Sequence, residues 1–303
     1  MDNLILLFGC LFTGLLLQRS KAFPPDTYRA LNAFVIYISL PAVALYYIPD
    51  IRFTRELLFP VGVAWIAFAG SFLLFGGLGR LLGWPPKLTG CLILTAGLGN
   101  TSFVGFPVIE ALYGTGGIRT AILVDQPGTF VVMSTLGITV AALYARGKPD
   151  PAAVAKKILL FPPFIAFAAA CVMNVAGWHF HADLASAFQK IAVTVTPLAL
   201  VSVGLQLKLE RRSRHWRFLG WGLLYKLVLT PALIFVLYVW ILGGGGPVVQ
   251  VSVMEAAMAP MITAAVIASS NGLKPRLGSM MIGFGIPLSF LTLCIWYLLV
   301  RGI

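Results

Sequence analysis

The chain has 303 residues, 59% of them hydrophobic and 11% charged, with a mean hydropathy of +0.92. A water-soluble globule carries about 25% charged residues, so the composition excludes one and places the chain in a membrane. The net charge of +12, from 22 Lys and Arg against 10 Asp and Glu, fits basic loops that orient membrane spans, not a nucleic-acid face.

Crossing the hydrocarbon takes about 20 apolar residues of helix. Charged and Gly/Pro-rich breaks divide the chain into ten such stretches, near 2–18, 28–48, 57–78, 88–112, 119–145, 158–176, 184–205, 218–242, 249–270 and 277–300. The predicted fold class is an all-α membrane protein with ten transmembrane helices and no soluble domain. No basic residue precedes the apolar part of residues 1–18 and no A-x-A site follows it, so this stretch reads as the first span and not as a cleaved signal peptide. Cys10, Cys91, Cys171 and Cys294 each lie in an apolar run without CxxC spacing, which indicates neither a disulfide framework nor a metal site.

Basic residues concentrate in cytoplasmic loops. With the N-terminus outside, sixteen of the 22 fall on that side, including Arg19, Lys21, Arg146, Lys148, Lys157 and the run Lys208, Arg211, Arg212, Arg214 and Arg217. Four, Arg52, Arg55, Arg119 and Arg301, fall opposite, and Lys190 and Lys226 lie inside spans. Both termini are therefore expected outside.

Local patterns recur at about half the chain length. Leu40-Pro41-Ala42 in span two matches Thr196-Pro197-Leu198-Ala199 in span seven, with the prolines 156 apart; Pro107 and Pro260 differ by 153, and Pro127 and Pro287 by 160. Near-constant offsets in corresponding spans predict two five-span repeats, 1–145 and 158–303, joined by a cytoplasmic linker at 146–157. Five is odd, so the halves insert oppositely, a plan of secondary transporters that bind substrate at midplane on broken helices.

Span four carries Gly97, Gly99 and Gly105 with Asn100, Thr101 and Ser102 between them, a sequence that unwinds a helix at mid-span. Span nine carries Pro260 at mid-span, where it breaks the helix or begins a new one. If both break, two half-helix N-termini face the midplane and favour an anion. Asn100, Thr101, Ser102, Pro260, Met261 and Thr263 are the expected substrate-binding residues. Ionisable groups inside a membrane are costly and functional by default. Glu110, near the outer end of span four, and Lys190 read as interfacial. Asp125, about 9 Å past Arg119 by helical rise, and Glu255, five residues before Pro260, are the expected ion-coupling residues, with Asp125 first as a proton carrier. Lys226 is their charge partner or neutralises a passing anion.

Other patterns are weak. His179-Phe180-His181 reads as a solvated loop, Gly243 to Gly246 as a turn, and no HExxH or G-x-S-x-G motif supports a hydrolase. No cofactor is indicated.

Across nearly its whole length the chain resembles a bacterial member of the auxin efflux carrier family, within the larger group that includes bile acid sodium symporters. The most specific piece runs from Gly99-Asn100-Thr101 through Gly105-Phe106-Pro107 to Tyr113-Gly114. Supporting pieces are Leu40-Pro41-Ala42, Thr196-Pro197 with Gly204, Asp125-Gln126 and Met258-Ala259-Pro260. The resemblance implies crossed spans four and nine, a mobile transport domain, a scaffold domain that can form a homodimer, and Asn100 at the substrate site. Gly99 stands where the plant carriers have a crossover proline, and the long loop between spans five and six is short here; both point away from auxin, and the resemblance to bacterial members implies a small organic acid, a dicarboxylate such as malonate or malate. The sequence thus predicts a multi-pass carrier of the bacterial inner (plasma) membrane, not an enzyme, that moves a small organic anion by alternating access with a proton. Sodium symport of the bile-acid type and a non-transporting membrane sensor are the alternatives.

Overall fold

The computed structural model of the chain describes residues 2–51, 54–145, 152, 156, 159–207 and 215–303. Arg52, most of the expected linker at 146–157, and Lys208, Arg211, Arg212 and Arg214 lie outside the described residues. The helices are α1 (Asp2–Leu17), α2 (Thr27–Asp50), α3 (Leu58–Leu81), α4 (Pro86–Gly97), α5 (Thr101–Tyr144), α6 (Pro162–Val175), α7 (Ala182–Gln206), α8 (Trp216–Ile241), α9 (Gly246–Ala256), α10 (Ile262–Ser270) and α11 (Pro275–Val300). Among the described residues there is no strand, and the sole extended pairing is one bridge between Gly99 and Pro260. Six helices, α2, α3, α5, α7, α8 and α11, are long and apolar enough to cross a membrane, and α1 and α6 are shorter apolar helices.

The helices fall where the sequence places apolar stretches, with one shift. The expected fifth span starts at residue 119, but helix resumes directly after Gly114, so Arg119 lies inside α5 and not in a loop. Gly114 has φ 65° and ψ −163°, a backbone region open in practice to glycine alone, and there α5 kinks.

The chain forms two compact units, each drawn from both halves of the sequence. The first comprises Met1–Thr54, Ser102–Ile122 and Lys156–Leu207; the second comprises Arg55–Thr101, Leu123–Ala155 and Lys208–Ile303.

In the first unit, α1 and α7 touch backbone to backbone. A Cβ on Gly204 would strike the carbonyl of Leu11, and one on Gly14 would strike that of Val201. Pro41 does not break its helix. A π-turn at Val35–Ser39 directly precedes Pro41, which then occupies the first turn of the following α-helical segment, where a missing N–H is harmless. Ser39 and Thr194, just ahead of Pro41 and Pro197, join their hydroxyls at 2.8 Å. Helix ends are closed by amide side chains. Gln18 donates to the carbonyls of Gly204 and Leu207 (2.6 and 2.9 Å), and Asn174 donates to those of Ile48, Pro49 and Ile51 (2.9, 2.8 and 2.7 Å). Two of these carbonyls, those of Gly204 and Ile48, also accept the N–H of Leu207 (3.3 Å) and of Ile51 (3.0 Å).

In the second unit the core surrounds the two short helices α4 and α9. Every residue from Leu88 to Gly97 is buried, as is every residue from Val251 to Pro260. Helices this apolar all round belong inside a protein rather than against lipid on one face. The long helices of this unit carry π-turns at Val124–Phe130, which contains Asp125 and Pro127, and at Tyr225–Leu229, which contains Lys226. Such turns interrupt the regular ladder and often mark functional positions.

Candidate functional site

The two breaks expected at the middle of spans four and nine meet in the second unit. After Gly97 the chain leaves the helix: Leu98 is extended, with φ −116° and ψ 130°. It runs antiparallel to the segment after Ala256, and Gly99 pairs with Pro260. The Asn100 N–H donates to the Ala259 carbonyl at 2.8 Å, and the Met261 N–H donates to the Leu98 carbonyl at 3.0 Å. Gly99 and Pro260 are thus a non-hydrogen-bonded pair of an antiparallel ladder, whose bonds come from the flanking residues. Pro260, lacking an N–H, costs the bridge nothing.

This arrangement decides between the two readings of Pro260. It does not begin the next helix; α10 begins at Ile262, after an extended Met261 with φ −71° and ψ 126°. Helix α5 resumes at Thr101 on the other side of the bridge. The first N–H groups of each resumed helix have no intrahelical acceptor, so both helices open next to the bridge with donors and the positive end of the dipole.

Around the bridge sits a buried polar cluster. Asn100 is 4% exposed, Thr101 3%, Asp125 3%, Lys226 1% and Glu255 0%. Asp125 is well provided with donors. The Thr101 hydroxyl donates to its Oδ1 and the Gln126 amide to its Oδ2, both at 2.6 Å. The Lys226 ammonium donates to the Ala256 carbonyl at 2.8 Å. Glu255 differs: neither carboxyl oxygen has a hydrogen-bond partner among the described residues, while Asp125 and Lys226 act on it electrostatically. Two carboxyls and one ammonium share this buried space. A buried charge without donors is expensive, so the set is short of one positive charge.

The expected substrate residues do not all converge. Asn100, Thr101 and Pro260 are buried at the bridge, and Met261 is half-buried beside it. Ser102 is half-buried and is the first residue of the other unit's middle segment. Thr263, the second residue of α10, is exposed. In the first unit Glu110 does more than sit at an interface. It accepts a hydrogen bond from the Thr196 hydroxyl at 2.6 Å and lines, with Tyr47 and Phe106, a cavity of about 20 Å³, room for about one water. Lys190, by contrast, is exposed in the last turn of its helical segment. His179 lies 3.2 Å from Asp50, a contact that the reading as a solvated loop does not anticipate.

A buried charged cluster thus lies where two interrupted helices pair, inside a scaffold of apolar helices. The chain matches the membrane transport protein family over residues 1–297 and belongs to it; this is the auxin efflux carrier group that the motif at the bridge resembles. It is similar to an uncharacterized transporter of Methanothermobacter thermautotrophicus, at 26% identity over 88% of this chain and 87% of the relative. Another uncharacterized transporter, from Methanocaldococcus jannaschii, is 27% identical over 69% of each chain. A Rhizobium meliloti protein named "Putative malonate transporter" is 25% identical over 88% of this chain and 84% of that one.

Proposed function

We propose that this protein is a secondary carrier that moves a small organic anion, a dicarboxylate or other carboxylate, across the bacterial inner membrane by alternating access, driven by a proton. The reading takes the ten apolar stretches as ten spans in two inverted repeats with both termini outside. The observation that carries it is the bridge at Gly99 and Pro260, where two interrupted helices pair and resume with donors beside a buried polar cluster. Carriers built from inverted repeats bind anionic groups at such half-helix N-termini. The malonate named for the Rhizobium relative supports a dicarboxylate as substrate.

Asn100 supplies an amide at the first resumed helix, and Thr101 links that helix to Asp125. Hydrogen bonds donated to both oxygens of Asp125 stabilise it as a fixed anion. Glu255, with no hydrogen-bond donor among the described residues, is the group that takes up and releases the proton. This reverses the order that the sequence predicts for the two carboxyls.

The test is uptake of labelled malonate, malate, succinate and indole-3-acetate into proteoliposomes under an imposed pH or sodium gradient, comparing the wild type with Asn100→Ala. Accumulation of a dicarboxylate under a pH gradient, lost in Asn100→Ala, is the expected result. Uptake driven by sodium alone, or no uptake of any anion, would overturn it in favour of a symporter of the bile-acid type or a sensor.

A further inference from the structure

The last four carbonyls of a helix have no intrahelical donor and form the negative end of its dipole. In α9 three of these four are satisfied by the chain that follows: Ala257 N–H donates to Val253 and Met254 (both 3.1 Å), and Met258 N–H to Glu255 (3.2 Å). The fourth, Ala256, receives its bond from the ammonium of Lys226, thirty residues earlier. In carriers with broken helices, half-helix C-terminal carbonyls are where coupling cations are held. Here that position is occupied by a side chain.

Three further observations fit a cation seat. Lys226 is 1% exposed along its whole length, so its ammonium does not snorkel to water as lysines in membranes usually do. The carboxyl of Glu255, buried and without a hydrogen-bond partner among the described residues, acts on it electrostatically. The bridge also leaves room for it: a Cβ on Gly99 would lie 3.1 Å from Nζ and 3.5 Å from Cε of Lys226. The absent side chain at Gly99 and the long one at Lys226 are complementary parts of one site.

We infer that the Lys226 ammonium is the resident cation of the crossing, a tethered positive charge on the end of α9 that takes the place of an exchangeable alkali cation and makes this carrier indifferent to sodium. The inference rests on the carrier reading for its link to transport, but the occupancy itself is testable without transport. Shortening the lysine leaves an ammonium-sized space between the Ala256 carbonyl and Glu255, a site for a monovalent cation or a small primary ammonium ion.

The experiment is thermal unfolding of the purified protein in detergent at constant ionic strength, with sodium, potassium or ethylammonium chloride against N-methylglucammonium chloride. The variants are Lys226→Ala and Lys226→Met, the second filling the space without charge. The wild type should unfold at the same temperature in all four salts. Lys226→Ala should unfold at a lower temperature and regain about 2–5 °C in sodium or ethylammonium, as expected for a ligand well above its Kd, while Lys226→Met should regain nothing in ethylammonium. If Lys226→Ala folds only when it is purified with sodium or ethylammonium, that dependence is the same rescue. A sodium-dependent wild type, equal rescue of both variants, or a Lys226→Ala that responds to no cation or cannot be recovered in any of the salts, would overturn the inference. If no anion is transported by the wild type, the carrier reading fails while these melting results still decide the occupancy.

Discussion

The two units differ at one place: Pro127, Pro231 and Pro287 of the second stay within helix as Pro41 of the first does, but Gly99 and Pro260 do not. In the first, Pro41 stays inside a continuous helix, and Pro197 falls in the first turn of Val195–Gln206, after a turn at 193–194. The π-turn at Val35–Ser39 absorbs the first, and a paired Ser39 and Thr194 sit beside both. Spare helix-end carbonyls there go to Gln18 and Asn174. In the second unit Gly99 and Pro260 take the chain out of the helix altogether, and the freed backbone groups pair with each other. The difference teaches where each unit keeps its polar groups. The first closes helix ends with neutral amides; the second leaves dipole ends and charged side chains around a gap in two helices.

That contrast can be broken at either end. The largest effect is expected at Glu255→Gln, which should abolish the acceleration of uptake by a pH gradient while leaving a folded protein; Asp125→Asn should slow uptake yet keep its pH dependence. Equal loss of pH coupling in both variants, measured in proteoliposomes, would erase the distinction between the donor-rich and donor-free carboxyls. Next comes Gly204→Val in the first unit, whose side chain meets the Leu11 carbonyl. It should cost about 3 kcal/mol of stability, seen as a lower melting temperature, with uptake per folded molecule unchanged. Asn174→Ala removes one amide from three carbonyls and should cost about 1–2 kcal/mol, again without altering substrate affinity. A changed affinity in either variant would show that the first unit takes part in substrate binding.

The smallest effect concerns His215, at the start of α8. Partial burial, then the charges of Lys274 and Arg276, hold its imidazole below the ordinary value. The folded protein therefore takes up this proton at lower pH than the unfolded chain does. Its contribution to stability is intact above pH about 6.5 and is lost as pH falls through the folded value. Melting curves between pH 7.5 and 5.5 should show a decline that His215→Gln reduces.

Much of this was legible in the sequence. Glycines and polar residues at 97–105 and Pro260 at mid-span announced both interruptions, because a helix in lipid tolerates them only where other groups satisfy the backbone. Asp125, Lys226 and Glu255 stood out because charge inside a membrane is costly. What stayed hidden depends on partners distant in sequence. That Thr101 and Gln126 saturate Asp125, that Lys226 caps α9, and that Thr196 reaches Glu110 follow from how helices pack, and no local pattern encodes it. The resumption of helix right after Gly114 was missed because Arg119 looked like a loop residue; a glycine with positive φ turns the chain without needing a loop.

The missing side chain at position 99 also ties two distant positions together in descent. Any residue there places a Cβ 3.1 Å from the Lys226 ammonium, whose flexible end would have to shift to make room. Among related carriers a proline or larger residue in place of Gly99 should accompany a shorter, uncharged residue in place of Lys226, and those lineages should be the ones whose transport depends on a dissolved cation. A single exchange at either position should cost stability that the matching exchange at the other returns, so the two sites are expected to have evolved as one character.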